Sequence, residues 1–470
     1  MPKYAGRVLW IVVAAAAFHA AYASSALSFL VVLYLFALLQ LAAADGWRKA
    51  FYSGLAVGFL VAAGRLAFFW RIFSGGAGAL WLVYAFWIGL FVALARLCMV
   101  RFAPNRGWLL IPLVWVGLEY FRSELYYLRF SWLSAGYALT GAPWQGALKP
   151  IGVYGVGFLL MSLATGAAFL WRTSRASACA LLVVGAVGLG GAGRLCGQWA
   201  PPRSLANVRV AGVQMEFPSG NEVLVRLNDL LRSRPNAELI VLSEYTFDGP
   251  VPAAVKDWCR KNRRYLVVGG KDPIADGDFY NTAFVIGPDG KVAFRQVKVV
   301  PIQFFKDGRP AREQKLWNSP WGKIGICVCY DLSYTRVTDR LVKLGAEALV
   351  VPTMDVADWG QSQHELHGRI APTRAAEYGL PIFRLASSGI SQVVDSAGRV
   401  TATAPFPGDG AALAGTLELR GAGSRPLDRW LAPLAVGVTA LLTFWFLVQE
   451  VRSAFRNCLL RPSTVTLTNP

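Results

Sequence analysis

Three residues of this 470-residue chain, Glu244, Lys298 and Cys329, form a chemically complete set for thiol attack on a carbonyl. Cys329 sits in WGKIGICVCYDLSYTR, in a Cys-Tyr-Asp turn where an apolar strand ends. A thiolate is the attacking form of cysteine, and near neutral pH it needs a neighbouring base or positive charge. Glu244 closes the apolar run of LIVLSEYTFDGP, where it could take the thiol proton and later return it or activate a second nucleophile. Lys298, in FRQVKVVPIQFFKDGRP, could hold the oxyanion that develops on the carbonyl, together with the backbone N–H that follows the cysteine. Each residue alone has a bland reading. A glutamate after a strand is usually a solvated loop residue, a strand lysine usually faces water, and an apolar-strand cysteine is usually small core filler. The three in this order and context are far more specific. Cys327 would share a strand face with Cys329, but the turn and the following Tyr-Asp favour Cys329 as nucleophile and leave Cys327 to packing.

These side chains need a scaffold, and residues 205–420 supply one. Runs such as VRVAGVQM, AELIVLS, RYLVVGG, TAFVIG, KIGICVCY and ALVVP read as strands, with helical stretches such as EVLVRLNDLLRS and TRVTDRLVKLGA between some of them. That alternation predicts an α/β sheet layered with helices. RGAGSRP, near the end of this region, reads as a linker. The seven cysteines (Cys98, Cys179, Cys196, Cys259, Cys327, Cys329 and Cys458) are scattered, with no paired CxxC spacing, so neither a zinc site nor a disulfide framework is expected. His364 and His367 could share a helix face, but no third ligand is evident, so no metal is expected. Nothing in the sequence calls for a cofactor.

The rest of the chain is built for another solvent. Hydrophobic residues make up 55% and charged residues 16%, against about 25% charged in ordinary soluble domains. Apolar runs near 8–24, 26–44, 51–70, 78–98, 108–121, 150–171 and 178–197 precede the α/β segment, and an eighth, 430–449, follows it. All but the fifth are near the ~20 residues that cross a bilayer. The first, with no convincing cleavage site, reads as a retained helix. With the N-terminus in the cytoplasm, the cytoplasmic loops and tail hold 11 basic residues, including Arg48, Lys49, Arg452 and Arg461, against 4 in the short loops opposite (Arg71, Arg122, Arg129 and Lys149). The asymmetry predicts both termini inside and the α/β segment outside. The net charge of +19 then belongs to loops facing an anionic bilayer rather than to a nucleic-acid surface. Arg65 and Glu119 fall within apolar runs, where charge is costly and often functional; Glu119 stands near a helix end and could simply pair with Arg122. Trp81, Tyr84, Phe86 and Trp87 read as lipid-facing, or as one wall of an acyl-chain groove.

At the level of motifs, the chain resembles the carbon–nitrogen hydrolase (nitrilase) superfamily and, within it, the apolipoprotein N-acyltransferase family. The Cys-Tyr-Asp turn after GKIGI carries the resemblance, as do the segments around Glu244, FYNTAFVIGPDGKV and SSGISQVVDSAGRV. The membrane stretch from WVGLEYFRSELYYLRF to GVYGVGFLL is similar too, and the likeness covers nearly the whole chain. It implies a seven-helix transmembrane domain (1–200), a nitrilase-like α-β-β-α sandwich (205–420) on the periplasmic side of a bacterial inner membrane, and a C-terminal transmembrane helix (430–450). It also implies a two-step reaction through a cysteine thioester. The acyl donor would be a phospholipid, and the acceptor the N-terminal amine of a lipoprotein bearing an S-diacylglyceryl-cysteine. Tyr330 and Asp331 beside the nucleophile, and Trp359 and His364 in DWGQSQHELHGR, would be the supporting residues.

The chain departs from the family pattern twice. Anchored on Val300-Pro301, the pattern K-x-H-L-V-P puts its lysine at Gln296 and its histidine at Lys298. Strand positions two apart face the same side, so Lys298 is expected to reach the same pocket. The family's P-F-G-E reads Pro301-Ile302-Gln303-Phe304, without the accessory glutamate, for which Glu313 is a candidate replacement. Two rivals remain: a membrane-anchored amidase in which water resolves the thioester, and a catalytically dead scaffold. The surviving Glu244, Lys298 and Cys329 speak against the scaffold, and eight membrane helices speak against a plain amidase.

Overall fold

The computed structural model describes residues 3–43, 45–102, 106–141, 144–198 and 204–459, so Arg461 and the boundary near residue 200 lie outside it. Two six-stranded sheets form the α/β part. The first runs in the order β12-β1-β2-β3-β4-β5, with β1 Ala206–Val213, β2 Leu239–Val241, β3 Tyr265–Pro273, β4 Phe279–Ile286, β5 Val292–Val297 and β12 Ala412–Leu419. The second runs β11-β10-β9-β8-β7-β6, with β6 Trp317–Ser319, β7 Gly322–Ile326, β8 Ala348–Thr353, β9 Ile382–Ala386, β10 Ser391–Val394 and β11 Val400–Ala404. In each sheet three central strands are parallel (β1-β2-β3 and β7-β8-β9) and the flanking pairs are antiparallel.

Alternate residues decide the layering. Val208, Val210, Leu239, Val241 and Val267 of the first sheet share one core with Ile324, Ile326, Leu349, Val351 and Phe383 of the second. The opposite-pointing Ala211, Val213, Ile240, Leu266 and Val268 pack in a separate core with Val223, Leu227, Leu230 and Trp258. Those last four come from helices Gly220–Ser233 and Ala253–Asn262, whose apolar residues recur at helical spacing. Ser219 caps the first of these helices, its hydroxyl accepting from the Glu222 N–H at 3.2 Å. Helices Thr335–Lys343 and Ile370–Tyr378 belong to the second sheet's half of the fold. The result is the α-β-β-α sandwich expected for 205–420.

Every expected apolar run holds a helix: Lys3–Ala23, Leu30–Ala42, Trp47–Arg65, Gly76–Arg101, Ile111–Tyr120, Leu148–Leu170, Arg175–Gln198 and Asp428–Leu459. Among the described residues, five helical stretches are long and apolar enough to cross a membrane: Ala5–Ala23, Gly76–Arg101, Gln145–Leu170, Arg175–Leu195 and Asp428–Ser453. The second run differs from expectation. Its helix has 13 residues, about 20 Å of rise, and is buried along almost its whole length as the centre of the bundle. Trp47–Arg65 and Gly76–Arg101 pack closely through Gly54 and Gly58. A Cβ on Gly54 would stand 2.9 Å from the Gly89 Cα, and one on Gly58 2.6 Å from the Ala85 Cα.

The fifth run ends in a π-helical turn, Phe121–Leu125, that carries Glu124 to the sandwich. There Glu124 accepts from the Thr335 N–H (3.1 and 3.2 Å) and from the Tyr154 hydroxyl (3.0 Å). Arg65 donates to the His19 carbonyl, and Glu119 accepts the Ala135 N–H at 2.8 Å and faces Arg122 at 3.8 Å, so both intramembrane charges have local partners. Within the expected linker, Gly423 and Ser424 donate backbone bonds to the Ala346 and Tyr378 carbonyls, and Leu427 just past it donates to that of Pro150.

Candidate active site

The site sits where the C-terminal ends of β2 and β7 meet the segments after β5 and β8. Glu244 lies three residues beyond β2 and Cys329 three beyond β7. The backbone at both turns is forced: Tyr245 (φ 53°) and Cys329 (φ 51°) adopt the left-handed region. Such strain in non-glycine residues persists only where the surroundings impose it, and it clusters at functional sites.

Lys298 is fully buried, and its Nζ lies 2.8 Å from Glu244 Oε1 and 2.7 Å from Asp307 Oδ2. Asn281 Nδ2 donates to Glu244 Oε1 (2.6 Å) and Asp307 Oδ1 (2.9 Å), and the Tyr245 hydroxyl donates to Asp307 at 2.7 Å. Met354 joins carboxylate to thiol: its N–H donates to Glu244 Oε2 at 2.9 Å, and its carbonyl stands 3.6 Å from Cys329 Sγ. Asp331 clamps the scaffold by accepting from the Val299, Val300 and Val328 N–H groups at 2.7–3.2 Å, which locks the segment carrying Lys298 onto the nucleophile turn.

The electrostatics follow from burial and neighbours. Burial alone would lower Lys298, but the Asp307 and Glu244 carboxylates outweigh it and hold the ammonium well above its ordinary range. Burial raises Glu244 despite the pull of Lys298, so this carboxylate binds a proton more readily than an exposed one. Burial opposes ionisation of Asp307 too, yet Lys298 prevails and keeps it below its ordinary value. Burial pushes the Cys329 thiol well up, and Glu244 adds to the effect against Lys298. A resting thiol beside a carboxylate with raised proton affinity is the arrangement that general-base activation requires. Asp331, buried, is pushed up to about 6.

Cys329 opens into an apolar cavity shared by two parts of the chain. Phe69, Ile72, Leu80, Val83 and Trp87 come from the membrane part, while Ile302, Phe305, Tyr330, Trp359 and His367 come from the sandwich. The cavity is the right chemistry for an acyl chain ending at the sulfur. Among the predicted residues, Glu244, Lys298 and Cys329 converge, and Tyr330 and Trp359 line the cavity. Asp331 works on backbone amides. His364 stacks on Phe406 at 3.9 Å and is not part of the lining, whereas His367, three residues on, is. Tyr84 and Trp87 of the aromatic fourth helix also face the cavity. Cys327 is buried away from it, its N–H bonded to the Val350 carbonyl.

Gln296 does not reach Glu244. It bonds locally, to the Val297 carbonyl and the Lys315 N–H. Glu313 is exposed and pairs with Lys315 at 2.5 Å, outside the site. The second carboxylate is Asp307, which sequence reasoning missed. Its only signal was an acidic residue nine positions after Lys298, in an otherwise unpatterned loop. Among the described residues, no group of three or more His, Cys, Asp and Glu side chains could hold a metal ion.

The apolipoprotein N-acyltransferase N-terminal domain matches residues 12–166, and the carbon–nitrogen hydrolase domain matches residues 211–416. An apolipoprotein N-acyltransferase of Shewanella oneidensis is 26% identical over 70% of this chain and 72% of its own length. That of Geobacter metallireducens is 27% identical over 76% and 79% respectively. Among solved structures, a carbon–nitrogen hydrolase from Helicobacter pylori aligns with a TM-score of 0.41 and 20% identity, covering 55% of this chain and 99% of its own.

Proposed function

We propose, for a chain that belongs to the apolipoprotein N-acyltransferase family, that it moves an acyl chain from a phospholipid to a lipoprotein N-terminus through a Cys329 thioester. Glu244 takes the Sγ proton as the thiolate attacks the ester carbonyl. The oxyanion is held by Lys298 and the backbone N–H of Tyr330. Glu244 returns the proton to the departing lysophospholipid oxygen. The α-amine of an S-diacylglyceryl-cysteine then attacks the thioester, an amide forms, and the thiol is restored.

The observation that carries this reading is the cavity: a thiol beside a buried Glu–Lys pair opens into an apolar space walled by membrane helices as well as by the sandwich. A soluble amide substrate has no use for such a wall, and a lipid tail does. The charge asymmetry of the loops supports a multi-pass protein of the bacterial inner membrane, with both termini inside and the sandwich on the periplasmic side.

The test is to incubate the purified protein with phospholipid and a synthetic S-diacylglyceryl-cysteine peptide, and to follow peptide mass and free fatty acid together. The reading expects one acyl group in amide linkage on the peptide and little fatty acid. Fatty acid release with no acylated peptide would replace it with the hydrolase reading.

A further inference from the structure

One titratable pair on the cavity wall has no part in the steps above. His367 and Asp355 both line the cavity, and both are buried. His367 Nδ1 lies 2.7 Å from Asp355 Oδ1, while Arg384 Nη2 lies 2.5 Å from Asp355 Oδ2 and 3.0 Å from that same Nδ1. A bare Nδ1 at 2.7 Å from a carboxylate oxygen would set two lone pairs against each other. Arg384 Nη2 passes the same nitrogen at 3.0 Å but is a donor already spent on Asp355 Oδ2, so the shorter contact decides: the geometry assigns the proton to Nδ1, donating to Asp355, and leaves the lone pair on Nε2. Among the described residues, no hydrogen bond reaches Nε2. The imidazole cannot swing freely, because Trp132 stacks on it at 4.7 Å with 14° between planes, and Trp132 Nε1 is pinned by Ser333 at 2.9 Å. Asp355 directly follows Met354, whose carbonyl stands against the Cys329 sulfur. The dyad is thus oriented, shielded and placed on the wall of the cavity into which the thiol opens.

We propose that His367, oriented by Asp355, is a catalytic base of the second half-reaction and takes a proton from the acceptor's α-ammonium. This inference rests on the proposed acyl transfer. An α-amino group has a pKa of about 7.7–8.0 and is largely protonated at neutral pH, so it must lose a proton before it can attack. Lys298, Asn281 and the Met354 N–H hold Glu244 beside the sulfur, where it serves the proton that Sγ gains and loses. In the proposed step, Nε2 takes the first proton and becomes imidazolium, held by Asp355. The freed nitrogen lone pair forms the bond to the thioester carbon. Glu244 takes the second proton from the tetrahedral adduct and passes it to Sγ as the C–S bond breaks. The imidazolium then releases its proton to water. Burial keeps His367 below its ordinary value, with Asp355 opposing and Arg384 reinforcing, so the resting ring is neutral and can accept. His364 also bears on the ring, and the cavity wall it faces carries Arg122, Arg129, Tyr84, Tyr330 and the Cys329 thiol.

The experiment separates the two half-reactions. Wild type, His367→Gln and His367→Ala are loaded with phospholipid alone and checked for the acyl adduct by intact mass. A diacylglyceryl-cysteine peptide is then added, and loss of the adduct is timed across pH. The expected result is adduct formation within about 3-fold of wild type, transfer slowed about 10²-fold or more, and partial restoration of the Ala variant by imidazole. In wild type, the transfer rate should fall as pH drops below the ordinary imidazole value of about 6.5, a limb absent from the Gln variant. Transfer at the wild-type rate, or a slowed Ala variant that imidazole does not restore, overturns the assignment while leaving the thioester reading intact. Loss of the adduct in both variants makes His367 a structural post and overturns it too. No adduct on wild type itself would instead overturn the proposed function.

Discussion

Two regions of the molecule bury clusters of charge, and they are put to different uses. In the sandwich, Lys298 lies between Glu244 and Asp307. At the junction with the membrane part, Arg374 binds Glu377 at 2.5 Å and the Leu332 and Ser333 carbonyls. Arg429 of the C-terminal helix binds Glu377 (3.1 Å), Asp339 (2.8 Å) and Asp428 (2.5 Å). Val153 and Tyr154 of helix Leu148–Leu170 donate their N–H groups to Glu377 and Asp428, at a kink where Gly152 takes φ 72° and leaves the room Asp428 fills. Both clusters are buried and well bonded. Of the two, only the first touches a nucleophile that opens into the apolar cavity and lies beside non-glycine residues, Tyr245 and Cys329, held at positive φ. Buried charge alone does not mark an active site. What separates the two is a reactive atom within reach and a space for substrate.

The largest expected effect tests the nucleophile. Cys329→Ser should fold and bind lipid but lose transfer by at least about 10³-fold, measured as acylated peptide formed. Next, Lys298→Ala should fail in two ways. It loses an oxyanion donor, for about 10²–10³-fold in rate, and it leaves two buried carboxylates facing each other, which should lower the denaturation midpoint as well. Arg374→Met should show the opposite balance. Removing one partner of a buried pair costs roughly 3–5 kcal/mol, so the unfolding midpoint should fall while the surviving folded enzyme acylates Cys329 within a few-fold of wild type. If Arg374→Met abolished the adduct in protein shown to be folded, the division between the clusters would be wrong.

A smaller effect concerns pH. Glu244 must be ionised to take the thiol proton, and burial raises its pKa. The acylation rate should therefore fall as pH drops through a value above the ordinary glutamate value of about 4.3. Asp307→Asn removes the competing hold on Lys298, so Lys298 should lower Glu244 further and move that limb to lower pH. The smallest effect is expected from Glu313→Gln, which touches only an exposed pair with Lys315 and should leave transfer unchanged. Exposed pairs contribute at most about 1 kcal/mol.

What the sequence revealed divides along the same line. Glu244 and Cys329 were legible because each follows an apolar strand run; Lys298 reads in the sequence as a strand residue sharing a face with Gln296, and the structure places it just past β5. The layering of sheet with helices was legible from strand and helix alternation, and the α-β-β-α sandwich was implied by the family resemblance. Asp307 was not, since it enters the site from a loop whose path depends on tertiary bonds, such as the Ile302 N–H donating to its Oδ2 at 2.8 Å. Nor was the choice between His364 and His367, which depends on how helix Gln361–Gly368 is rotated. The second apolar run gave no sign that its helix would be short and central, because a bundle core and a lipid-facing span are written in the same apolar residues. Gln296 and Lys298 were separable only once the chain was seen to leave β5 after Val297.

The central claim is that the acyl group passes through the sulfur of Cys329. The most direct measurement is to trap the protein after incubation with phospholipid alone, digest it, and map any hydroxylamine-labile fatty-acyl adduct by mass. The account predicts one adduct, on Cys329, and none on Cys327. An adduct on Cys327, or phospholipid turnover with no adduct on any cysteine, would contradict it.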